Sequence, residues 1–207
     1  MNMGMAVGKE VFSQILRSAE GVRRAQGLTK KSLSWFQRKV KQATKGDKVS
    51  IKSVLSRTDL MVAKLLTGRM YHFRYDPKWK VKLPYWDTFP LVIPIDSYGD
   101  GFDGLNLHYL PVRLRAKLFD ALTSVLTDKG LNETARFKLT YSLLSGAKKY
   151  RLFKPTYKRY LYSKVKSRFL LIPPEEWQVA LFLPTQKFVK AQANQVWKDS
   201  RKIGRGR

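Results

Sequence analysis

From Leu83 to Pro111 the chain runs for 29 residues, "LPYWDTFPLVIPIDSYGDGFDGLNLHYLP", without one lysine or arginine, although these make up 41 of its 207 residues. Even mixing would place about five or six basic residues in such a stretch. It carries Asp87, Asp96, Asp100 and Asp103 instead, so it contributes −4 to a formal net charge of +26 and leaves +30 on the other 178 residues. Its large side chains, Tyr85, Trp86, Phe89, Phe102 and Tyr109, can supply the buried area that a small sheet needs. The window therefore reads as an interior-rich keystone of the fold, or as a face turned to another protein. A polyanion would be repelled there.

The remainder is a polycation, and compacting it costs self-repulsion, so a polyanionic partner is expected: nucleic acid first, an anionic membrane surface second. With 43% hydrophobic and 13% aromatic residues the chain has enough apolar surface to form a real core. No apolar run reaches the roughly 18 residues that span a bilayer, and the opening "MNMGMAVGKEVF" lacks the regions of a signal peptide. A soluble, intracellular protein without membrane contact is expected. The absence of cysteine excludes disulfides, thiolate metal sites and cysteine nucleophiles. His72 and His108, the two histidines, supply metal binding and serine–histidine triads poorly. The expectation is no catalytic set, no cofactor and no enzyme.

Periodicity suggests three regions. Residues 1–67 read as a basic helical unit: a first helix on Val11, Phe12, Ile15, Leu16, Ala19 and Val22, a second capped by Thr29, and a third from Ile51 to Leu66 closed by Gly68. Residues 68–200 read as an α+β core, a small bent antiparallel sheet covered by helices. Its strands are "RMYHFRYDP", "FPLVIPI", "LNLHYLP" and "FLLIP", with a turn at "SYGDGFDG". Pro90 and Pro94 assign the second strand to an edge or to strand ends, because proline cannot donate to the ladder. Helices are expected after Pro111, after Asn132, at "PEEWQVALFL" and, capped by Thr185, through Phe188, Ala191 and Trp197. Residues 201–207, "RKIGRGR", read as a basic flexible tail.

The main candidate interface is the segment 148–169, where Lys148, Lys149, Arg151, Lys154, Lys158, Arg159, Lys164, Lys166 and Arg168 interleave with aromatic residues, among them Tyr157 and Tyr160. Cations on flexible stems neutralise phosphates, and aromatic rings can stack on unpaired bases. The bland alternative turns the aromatics inward and leaves only charge outside; the alternation of Val165, Ser167 and Phe169 with Lys164, Lys166 and Arg168 favours that split for the last part. A second patch is formed by Lys30, Lys31, Arg38, Lys39 and Lys41. No helix-turn-helix pattern or base-reading Asn/Gln spacing is present, which argues against sequence-specific readout. Asp96, Asp100 and Asp103 lie close enough to suggest a metal site for phosphodiester hydrolysis, but Asp before Gly also makes tight bends, the simpler reading.

The stretch "MYHFRYDPKWKVKLPYWDTFPLVIPI", with "GFDGLNLHYLP" after it and "IPPEEWQVALFLP" near the end, resembles virion proteins of T-even-like myophages and their cyanophage relatives, and is most similar to the small basic proteins described as DNA end protectors or head-completion factors. The resemblance spans roughly residues 68 to 200 and brings no catalytic residues with it. It implies a protein of the virion, present in the host cytoplasm before assembly, that sits near a genome terminus with other virion proteins and binds DNA ends without reading sequence. Two alternatives stand beside this expectation: a connector of the neck or baseplate, and a metal-dependent nuclease.

Overall fold

The computed structural model describes residues 58–112, 114, 115, 118, 141, 142, 144–146, 151, 153–173, 177–182 and 184–205. Its regular elements are mainly antiparallel strands with few helices, an α+β arrangement. Strands β1 (Met61–Val62), β2 (Met70–His72), β4 (Leu91–Ser97), β5 (Gly101–Asn106), β6 (Tyr157–Leu161) and β7 (Phe169–Ile172) form one sheet in the order β1-β7-β2-β4-β5-β6, while β3 (Trp86–Asp87) pairs with β8 (Phe188–Val189) in a second. The helices are α1 (Trp177–Phe182) and α2 (Ala193–Arg205), and Leu114, Arg115, Leu118 and Leu144 also lie on helical turns. The expected N-terminal helices up to residue 57, and most of the two between Pro111 and Lys148, fall outside the described residues.

The two-residue period of a strand sorts the core. Met70, Leu91, Ile93, Ile95, Leu105, Leu170 and Ile172 point to an aliphatic side completed by Leu114, Leu118, Leu144 and Trp177. Tyr71, Phe73, Tyr75, Phe102, Tyr160 and Phe169 point to the other side with Val92. There Phe73 meets Phe102, Tyr160 and Phe169 edge-on at centroid distances of 5.8, 5.3 and 5.3 Å, a geometry favoured by the ring quadrupoles. The basic-free window supplies β3, β4 and β5, and most of its residues from Phe89 to Ile95 and from Phe102 to Leu110 are buried. Its place as interior keystone is thus met.

Several local expectations are corrected. β4 is an interior strand despite Pro94. The N and C=O of one strand residue point the same way, and Pro94 O accepts from Gly68 N at 2.9 Å, so the missing N–H faces the β2 side beyond the end of β2. The expected turn at "SYGDGFDG" is confined to its first half, as Gly101–Asp103 already belong to β5. Of "LNLHYLP" only Leu105 and Asn106 are strand, as the end of β5; Leu107–Tyr109 make a 3-10 turn capped by the Asn106 side chain. The end of the expected third helix, from Leu60 to Leu66, gives way to a 3-10 turn at Thr58–Leu60 and to β1, because pairing of Met61 and Val62 with β7 overrides the helical spacing. Gly68, at φ 77°, opens the turn into β2 instead of closing a helix. Thr185 caps nothing; Phe188 and Val189 are strand, and α2 begins only at Ala193. That helix continues through Arg205, taking in most of the expected tail, and is anchored by the buried i, i+4 pair Val196 and Ser200.

Candidate nucleic-acid interface

Two basic segments far apart in sequence meet on one face. Tyr75 bridges to Val165, Asp76 N donates to Lys164 O at 3.0 Å, and Lys166 N donates to Arg74 O at 2.8 Å. These backbone contacts set the loop "DPKWKVKL" (76–83) beside the segment 158–166. Asp76 sits between them, and its carboxyl is held below the usual range by a hydrogen bond from Lys80 at 2.5 Å, with Lys166 and Lys164 adding to the effect. Lys78, Lys80, Lys82 and Lys166 are exposed there and Lys164 is partly exposed. One carboxylate does not neutralise such a group. The loop is further pinned by Lys190, whose ammonium donates to Lys80 O and Leu83 O at 2.8 and 3.3 Å from a residue in the left-handed region, φ 67°.

Behind this basic edge lies a cavity of about 340 Å³ lined by Trp79, Tyr85, Trp86 and Tyr109 and, from β6, by Lys158. β3 explains part of its wall, since alternation sends Asp87 inward and Trp86 outward. Phe188 supports Tyr85 and Tyr109 at centroid distances of 6.4 and 5.2 Å. The Lys158 ammonium lies 4.1 Å from the centre of the Tyr109 ring, and burial brings its pKa down to about 8. No acidic side chain pairs with it among the described residues. Trp79, 58% exposed, stands at the mouth with the Lys78 and Lys82 ammonium groups 5.0 and 5.3 Å from its ring.

The residues singled out from sequence are distributed unevenly. Lys158, Lys164 and Lys166 belong to this face, and Arg168 is exposed next to it, donating to Met61 O at 2.9 Å. Arg151 and Lys154 are exposed on the preceding turn. Arg159 is engaged, bonded to Asp100 at 2.5 Å, 3.7 Å from Asp103 and stacked on Tyr98. Tyr157 is half-buried with its hydroxyl on Asp103 at 2.8 Å. Tyr160 is a correction: at 3% exposure its ring belongs to the aromatic core, and it closes part of the cavity wall instead of standing free on the surface. Lys148, Lys149, Lys30, Lys31, Arg38, Lys39 and Lys41 lie outside the described residues. Lys78, Trp79, Lys80 and Lys82 were missed, although "KWKVK" repeats the basic–aromatic interleaving that drew attention to 148–169.

Asp96, Asp100 and Asp103 do not converge on a common point. Asp96 accepts from Tyr141, Asp100 from Arg159, and Asp103 from Tyr98 and Tyr157. Among the described residues no three His, Asp or Glu side chains come together to hold a metal ion. Nor is any described helix long and apolar enough to cross a membrane.

A buried polar cluster that sequence reading also missed holds the cavity wall in place. Asp87 accepts from Phe89 N and Lys187 N at 3.0 and 3.1 Å and from His108 Nδ1 at 2.6 Å; Thr185 Oγ1 lies 3.3 Å from His108 Nε2 and 3.5 Å from His72 Nε2. Burial alone would raise the Asp87 carboxyl, but His108 and the two backbone N–H groups hold it below the usual range. Burial, and then His108, depresses the His72 imidazole to about 3. Arg115, 1% exposed, donates to the carbonyls of Leu110, Leu181 and His108. The order Asp87–His108–Thr185 imitates a hydrolytic triad, yet the hydroxyl is 3% exposed and no substrate reaches it. The cluster ties β3 and the 185–188 segment to the sheet.

The family described as phage T4 terminal DNA protecting protein matches residues 10–200. The chain belongs to that family. Membership in the terminal DNA protecting family extends the resemblance seen in residues 68–200 into the N-terminal region, and it identifies a phage DNA end protector. No curated protein and no solved structure matches the chain.

Proposed function

We propose that this terminal DNA protecting protein binds linear duplex DNA near its ends, without reading sequence and without catalysis, and so denies the terminus to exonucleases. The lysines that segments 78–82 and 158–166 bring to one face are its phosphate contacts. The carrying observation is the meeting of Lys80, Lys164 and Lys166 around the single carboxylate of Asp76, which leaves a net positive surface beside the cavity. In the virion the protein would lie at the packaged genome's terminus among other virion proteins, having met the DNA in the host cytoplasm before assembly.

Phosphate neutralisation releases counterions, so affinity falls with salt. Five contacts, from Lys78, Lys82, Lys158, Lys164 and Lys166, give a slope of about −4.5 in log K against log salt. The test is a fluorescence anisotropy titration of a duplex across a salt series. The double variant Lys164→Ala/Lys166→Ala should lower the magnitude of the slope by about 1.8. An affinity that is flat in salt would reject the reading.

A further inference from the structure

We infer that the aromatic cavity is a receptor for one unpaired nucleotide at the DNA terminus, with Trp79 and its aromatic neighbours stacking on the base and Lys158 meeting its phosphate. The inference rests on the end-binding reading and deepens it, because phosphate contacts alone do not tell an end from the middle of a duplex. The cavity's volume of about 340 Å³ lies at the lower end of ligand sites, roughly 300–1,000 Å³. It suits a single nucleotide, not a stacked base pair. The rings of Trp79, Tyr85, Trp86 and Tyr109 line the cavity beside the Lys158 ammonium, which has no acidic partner among the described residues. Asp87 also borders it, but its carboxylate is taken up by His108 and two backbone N–H groups. Base stacking on such rings is tolerant of sequence, since every base has a π-face.

The preference for an end then follows from stacking. A base drawn from inside a duplex loses two stacking neighbours and its partner, whereas a terminal base has one neighbour to lose and frays without help. Trp79, 58% exposed at the mouth and flanked by Lys78 and Lys82, is placed to catch such a base while the basic edge holds the backbone.

The experiment compares affinity for two duplexes of the same sequence, one with open ends and one closed by hairpins at both ends, using the full chain. The open duplex should bind more tightly, and Trp79→Ala and Lys158→Met should each reduce that ratio roughly tenfold, with Trp79→Phe restoring most of it. A 2-aminopurine at the terminal position should be quenched by the wild-type protein and not by Trp79→Ala. Trp79 is exposed, so its loss does not threaten the core. If the variants keep the wild-type ratio and the quenching, the cavity is not the receptor, although end binding stands. If wild-type protein binds open and closed duplexes equally, the end-binding reading falls and this inference with it.

Discussion

Replacing Asp87 by alanine should cost about 4 kcal/mol of stability. The carboxylate is 3% exposed and accepts from Phe89 N, Lys187 N and His108 Nδ1, with Asn106 Nδ2 a weaker fourth donor at 3.4 Å. Each hydrogen bond to a charged group is worth about 1.5–3 kcal/mol, but donors that share one carboxylate do not add in full. The buried Arg115 would also lose the one carboxylate that favours its charged form. Removing one partner from a buried charged network typically costs about 3–5 kcal/mol, a large share of the roughly 5–15 kcal/mol that holds a protein folded. Urea unfolding, followed by tryptophan fluorescence and far-UV circular dichroism, measures it. With a slope near 2 kcal/mol per molar the midpoint should fall by about 2 M. Asp87→Ala combined with His108→Ala should be less destabilised than the sum of the two by at least about 1 kcal/mol. A midpoint shift below about 0.5 M would refute the view that Asp87 organises this region.

Acid should also destabilise the fold. His72 titrates near 6.5 when unfolded and at about 3 when folded, so the unfolded state binds the proton first. Its contribution is present above pH 6.5 and is lost as pH falls toward 3. At pH 5 the loss from His72 is about 2 kcal/mol, His108 shifts in the same direction, and urea midpoints at pH 7.5 and 5 will show it. Gly101→Ala would place a Cβ 2.0 Å from Tyr160 O in the paired β5–β6 ladder and should cost about 1–3 kcal/mol. Gly99→Ala, with nothing within 4 Å, should stay within about 0.5 kcal/mol by thermal denaturation.

What the sequence disclosed was what depends on composition and short-range period. The basic-free window marked the interior strands, and the alternation from Met70 to Tyr75 separated two faces that the structure fills with aliphatic and aromatic cores. What it hid depends on partners distant in the chain. Pro94 is tolerated inside the sheet because β2 begins only at Met70 and the chain beside Pro94 is the turn at Gly68, and Thr185 serves two histidines and no helix. Tyr160 shares its pattern with Tyr157, yet their neighbours send one ring into the core and leave the other half-exposed. Expected repulsion of a polyanion by the window also needs division. Asp100 and Asp103 lie at the β4–β5 hairpin, whereas Asp87 borders the cavity with Trp86 and Tyr109 but is 3% exposed and its carboxylate is occupied by His108 and the Phe89 and Lys187 N–H groups.

End protection itself is tested most directly by digesting long and short linear duplexes with a processive exonuclease, in the presence of this protein and an excess of covalently closed circular DNA. Capping should preserve both lengths at the same few protein molecules per DNA molecule, and the circles should not abolish it. Protection that demands protein in proportion to DNA length, and vanishes when circles are added, would mean coating and would contradict the account.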